Sequence, residues 1–192
     1  MSITYINRKK DKYYLHEVKT KKGNLKYFFS KRKEGKLVNE IPEGYEIYEN
    51  PNAQVFLRRI QPRLVTEEEL KIINNGIRQY SSLKNFKIDI KRNIITIFLP
   101  DRDEKDLEDL LKIPIFKNKQ GGIIEFLTNH ITYSPMMRFV LIDKEERIYE
   151  VERYCFRGRV DGWISLECSS NLKKLVHKYC PHLGKDSFYD LI

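Results

Sequence analysis

The chain has 192 residues, 41% of them hydrophobic and 12% aromatic, enough apolar material to bury a core and too much for a disordered tail. Its formal net charge of +9 is carried entirely by residues 1–36, where twelve Lys or Arg face only Asp11, Glu17 and Glu34; the other 156 residues hold 24 basic and 24 acidic side chains. The N-terminus runs straight into charge without a secretory apolar stretch, no run reaches a membrane span, and three widely spaced cysteines form no disulfide framework; together these point to a cytoplasmic protein with reduced thiols.

Residues 12–19 and 25–30 are aromatic, β-prone runs separated by Lys21-Lys22-Gly23-Asn24, which predicts a hairpin. Alternation sets Tyr13 and Leu15 on one face and Tyr14, His16 and Val18 on the other. Residues 31–40 carry six charges and read as an exposed loop. Glu40, Glu43, Glu46 and Glu49 follow, and whether they neutralise the basic loop decides what it can offer a polyanion. Residues 44–49 and 54–60 form a second predicted hairpin about Asn50-Pro51-Asn52, and Gln61-Pro62-Arg63 marks a boundary. The expected organisation is a basic, aromatic-rich β module over 1–63 and a mixed module over 64–192.

Thr66 and Glu69 have capping-box spacing before Leu70, Ile73, Ile77 and Tyr80, which predicts a helix over 66–80. Phe86, Ile88 and Ile90, then Ile95, Ile97 and Leu99, alternate around Lys91-Arg92-Asn93 as a hairpin. Residues 103–112 read as an acid-started helix, and Gln120-Gly121-Gly122 as a loop before an apolar run over 123–131 that fits helix or strand. Residues 137–142 and 147–154 pair about 143–146, and residues 157–160 and 163–166 about Asp161-Gly162. Ser170 is the expected cap of a last helix burying Leu172, Leu175, Val176 and Tyr179, and 185–192 reads as one or two helical turns. The sum is an α+β fold, antiparallel hairpins packed with three or four helices.

The function most in keeping with this pattern is non-catalytic nucleic-acid binding, to DNA or RNA, as an accessory protein. Lys21, Lys22, Lys26, Lys31, Arg32 and Lys33 would hold phosphate, with Tyr14 and Tyr27 stacking on bases. Arg157 and Arg159, beside Trp163, form a second basic spot. An adaptor module docking an acidic protein is the alternative. A third reading, a small Mg-dependent nuclease, rests on Asp89-Ile90-Lys91, a D-x-K pattern that needs a further carboxylate such as Glu46 or one of Glu67–Glu69. His177, Cys180 and His182 are dense in metal-ligand types, with Cys155 or Cys168 as a fourth donor, but lack a recognised zinc spacing, so no metal or other cofactor is expected. Phosphate-loop, dinucleotide and hydrolase signatures are missing.

Overall fold

A computed structural model describes residues 2–101, 131–157 and 160–192, except for the side chains of Arg157 and Val160. The chain divides into two compact units after Gln61.

The first unit contains β1 (Thr4–Ile6), β2 (Lys12–Lys19), β3 (Leu25–Ser30), β4 (Tyr45–Glu49) and β5 (Val55–Arg59). The first three make an antiparallel sheet with β2 central, and β4 pairs with β5. Both predicted hairpins form, with Tyr14 opposite Ser30, His16 opposite Phe28, and Tyr48 opposite Phe56. Asn50 holds the second turn by accepting the backbone N–H groups of Asn52 and Gln54 at 3.0 and 2.9 Å. The short β1 is an addition, three residues secured by pairing with β2 rather than by any local pattern. Leu15, fully buried, and Val55 contribute to the apolar interior of this unit.

The second unit contains α1 (Glu67–Tyr80), β6 (Lys87–Lys91), β7 (Ile94–Pro100), β8 (Tyr133–Asp143), β9 (Ile148–Arg157), β10 (Val160–Ser169) and α2 (Leu172–Tyr179). Its five strands form one antiparallel sheet in the order β10-β9-β8-β7-β6. Ile95, Ile97, Met137, Phe139 and Val151 share a face, and α1 and α2 cover it with Ile73, Ile77, Leu175 and Val176. The apolar alternation of the strands thus meets the apolar stripe of each helix.

Several expectations need correction. The α+β fold with three or four helices gives way to a mainly β one: 44% of the described residues are strand, in three sheets, and 18% are helical, with two short α-helices. The predicted helix over 103–112, the loop at 120–122 and most of the 123–131 run lie outside the described residues. Residues 185–192 do contribute one helical turn, as expected, in the form of the 3-10 turn Asp186–Phe188. The hairpin expected at Asp161-Gly162 closes earlier, with Val160 opposite Arg157, so that Asp161 and Gly162 lie within β10 opposite Phe156 and Cys155. Tyr154 holds that register by donating to the Asp161 carboxylate at 2.8 Å. Asn171, not Ser170, caps α2, its side chain accepting from the Lys174 N–H at 3.0 Å.

The capping box forms as expected: Thr66 accepts the Glu69 N–H at 3.3 Å, and Glu69 accepts the Thr66 N–H at 2.8 Å. Glu69 also takes the guanidinium of Arg147 in a two-pronged pair, with Arg147 Nε 2.9 Å from Oε1. Burial works to raise the pKa of Glu69, but the bonds from Arg147, Thr66 and Tyr149 outweigh it and hold the carboxyl below its ordinary range. A depressed folded pKa contributes stability that is present above the unfolded value, near 4.3, and is lost as pH falls through the folded one. Glu69→Gln is therefore expected to cost about 1–2 kcal/mol at pH 7. The gap between variant and wild type should shrink below about pH 4, as thermal melts at the two pH values will show. An undiminished gap at low pH would mean that the charge of Glu69 contributes nothing.

Candidate nucleic-acid interface

The sheet of the first unit has two unlike faces. Tyr5, Tyr13, Leu15, Glu17, Tyr27 and Phe29 share one by register. Tyr27 lies against Tyr45 of β4, with ring centroids 6.4 Å apart, and Tyr5 donates to Glu49 of β4 at 3.0 Å. This face is therefore turned toward the second hairpin. The opposite face carries Thr4, Ile6, Lys12, Tyr14, His16, Val18, Lys26 and Phe28. Val18 and Phe28 remain exposed there, Tyr14 is half-buried, and Lys12 Nζ sits 5.5 Å from the Tyr14 ring centroid.

His16 on this second face is only 4% exposed, because the chain crosses above it after β3. His16 Nε2 donates to the Arg32 carbonyl at 2.9 Å. Gly35, at φ +113°, passes so close that a β-carbon there would meet His16 Nδ1 at 3.4 Å. The chain then joins the far edge of β2: Leu37 bridges to His16, the Glu17 N–H donates to the Lys36 carbonyl, and the Val38 N–H donates to the Leu15 carbonyl. Residues 31–35 are thus a strap over the sheet, anchored at both ends, rather than a loose loop.

The cations divide into occupied and available ones. Lys31 is committed to Asp11 at 2.8 Å and lies over the Tyr13 ring, and its hydrogen bond holds the Asp11 carboxyl below its ordinary range. Lys36 pairs with Glu17 at 2.5 Å, and Arg8 with Glu49 at 2.6 Å. Lys21, Lys22, Lys26, Arg32 and Lys33 are exposed and form no ion pair among the described residues. Where residues of the acidic run pair, they take Arg58 (with Glu46, 2.8 Å) and Arg8 (with Glu49), leaving Arg32, Lys33 and the Lys21-Lys22 turn without an ion pair among the described residues.

Of the residues singled out in the sequence, Tyr14 and Lys26 share the open face, Lys21 and Lys22 occupy the β2–β3 turn, and Arg32 and Lys33 sit on the strap. Tyr27 is on the opposite face, so it and Tyr14 do not line one surface. Phe28 is the aromatic that joins Tyr14 instead. Its parity relative to Tyr14 follows from the register Tyr14–Ser30, which the length of the turn would have allowed the sequence to anticipate. Arg159 lies outside the described residues, as does the side chain of Arg157, whose backbone ends β9. Trp163, opposite Tyr154 in the β9–β10 ladder, is already engaged, with Arg138 4.3 Å from its ring centroid and Tyr154 edge-on at 5.1 Å.

The other chemistries gain little from the geometry. Among the described residues no three His, Cys, Asp or Glu side chains converge as a metal site would require. His177 packs edge-on with Tyr80, and His182 Nδ1 is 2.9 Å from the Ser187 hydroxyl. Cys180 is fully buried, which pushes its thiol up to about 12 and leaves it un-ionised at neutral pH. Cys155 is buried and Cys168 exposed, and all three cysteines are free. Asp89 lies 3.5 Å from Lys91 on the edge strand β6, while Glu69 is committed to Arg147 and the cap of α1. No helix among the described residues is long and apolar enough to cross a membrane. No protein-family model matches the chain, and neither a curated protein nor a solved structure shows significant similarity to it.

Proposed function

We propose that the protein binds nucleic acid through the open sheet face and strap of its first unit, without catalysing a reaction on it. The observation that supports this most directly is five exposed cations, Lys21, Lys22, Lys26, Arg32 and Lys33, without ion pairs among the described residues and set around a face that exposes an aromatic ring. Exposed cations that are not neutralised internally can release counterions from a phosphate backbone, and a ring in the same face gives bases a surface on which to stack. Lys31, tied to Asp11, contributes to holding the strap rather than to holding phosphate.

The test is binding of labelled DNA and RNA to the full chain at about 50 and 200 mM salt. Five phosphate contacts predict an affinity loss on the order of 10²-fold across that range. Affinity that does not change with salt would remove the reading. A second reading, docking of an acidic protein, is favoured by Phe56 and Ile60, which stay exposed in and just beyond β5. It predicts a stoichiometric protein complex in a pull-down and only weak, unsaturable association with nucleic acid.

A further inference from the structure

Phe28 and His16 lie directly opposite each other in the β2–β3 ladder, and their rings stack with centroids 5.3 Å apart and planes 15° apart. His16 is pinned beneath the strap by the Arg32 carbonyl, whereas Phe28 is 41% exposed. A phenyl ring already held against a fixed neighbour gives up little rotational freedom when a second flat group settles on it. Lys26, two residues along β3 and about 6–7 Å away, lies on the same face beside the exposed Val18. The Lys21-Lys22 turn extends the positive charge beyond that end of the hairpin, and Arg32 and Lys33 supply it from the strap.

This arrangement discriminates between forms of nucleic acid. A duplex keeps its bases stacked inward, so it would meet the cations and leave Phe28 and Val18 facing water or sugar. A single strand with splayed bases can use the cations and the ring together.

Resting on the nucleic-acid reading above, we infer that the ligand is single-stranded, with one base stacked on Phe28 and the neighbouring phosphates held from Lys21, Lys22 and Lys26 on one side and Arg32 and Lys33 on the other. The experiment is fluorescence anisotropy of the full chain with a 12-nucleotide oligo-dT, a 12-nucleotide oligo-U and a 12-base-pair duplex. Wild type, Phe28→Leu and Phe28→Tyr are compared at two salt concentrations. Leucine keeps apolar cover over His16 but cannot stack on a base, whereas tyrosine can. The expected result is tighter binding of the single strands than of the duplex. Phe28→Leu should lose about 5- to 20-fold in single-strand affinity at an unchanged salt slope, and Phe28→Tyr should stay near wild type. A duplex that binds as tightly as the single strands, or a Phe28→Leu variant with undiminished salt-dependent binding, would overturn the inference while leaving nucleic-acid binding intact. Absence of binding to all three probes at low salt would remove the underlying reading as well.

Discussion

Neutralising Lys21, Lys22, Lys26, Arg32 and Lys33 together, each to Gln, is expected to weaken nucleic-acid binding by about 10²–10³-fold at about 0.1 M salt. The salt slope should become shallower at the same time by about 3–4, since each phosphate neutralised on a single strand accounts for about 0.7 of it. All five side chains are exposed and make no ion pair among the described residues, so the folded state has little to lose from the change. The contrasting variant is Lys31→Gln, which removes the partner of Asp11 at 2.8 Å. That change should leave the slope nearly unchanged and produce at most a small loss of stability, because the pair is largely solvent-exposed. Both are read by anisotropy titrations at three salt concentrations, with circular dichroism confirming the fold. Equal slopes for wild type and the fivefold variant would place the phosphate-binding surface elsewhere on the molecule.

Gly76 carries the largest expected effect on stability. It lies on the buried side of α1, where a β-carbon would stand 2.0 Å from Val176 Cγ1 of α2 and 3.4 Å from Val176 Cβ. Valine in a helix has essentially one side-chain rotamer, so it cannot swing aside, and the two helices would have to separate. Gly→Ala normally stabilises a helix by about 1 kcal/mol. Here overpacking of about 1–3 kcal/mol opposes that gain, and Gly76→Ala should be destabilising on balance. Gly76→Leu, with three further carbons in the same place, should cost more than about 3 kcal/mol and compromise the second unit. The diagnostic is the double variant Gly76→Ala/Val176→Ala, in which the clash is gone. Its melting temperature should exceed the value obtained by adding the two single effects. Strict additivity would show that Gly76 matters for some reason other than this approach.

Much of the hairpin structure was legible without coordinates. Lys12–Lys19 and Leu25–Ser30 form as their composition and the Gly23-Asn24 turn require, and the capping box of Thr66 and Glu69 forms with both of its bonds. The buried stripe of α2 is the one its spacing predicts. These features depend on residues within a few positions of each other, where turn geometry, side-chain alternation and helix periodicity operate. Where local signals competed with pairing to distant segments, pairing prevailed. Asp161-Gly162, a favourable turn pair, is held extended because its strand continues in register with β9. The brief β1 exists because β2 offers it an edge.

For the candidate interface, the amino-acid sequence by itself determined the chemical content: the whole net charge within 36 residues, aromatic rings interleaved with it, and two hairpins to present them. Only the tertiary structure decided which of those groups are available to a partner. It put Tyr27 against Tyr45 and Phe28 on the open face, buried His16 under the strap, and drew Lys31 to Asp11, twenty residues away in the chain, and Lys36 to Glu17. Availability is the remainder after packing and ion pairing between distant residues. The register of the β2–β3 hairpin is set locally by its turn, but the chain crossing over His16 and the ion pairs join residues that no short window of sequence brings together.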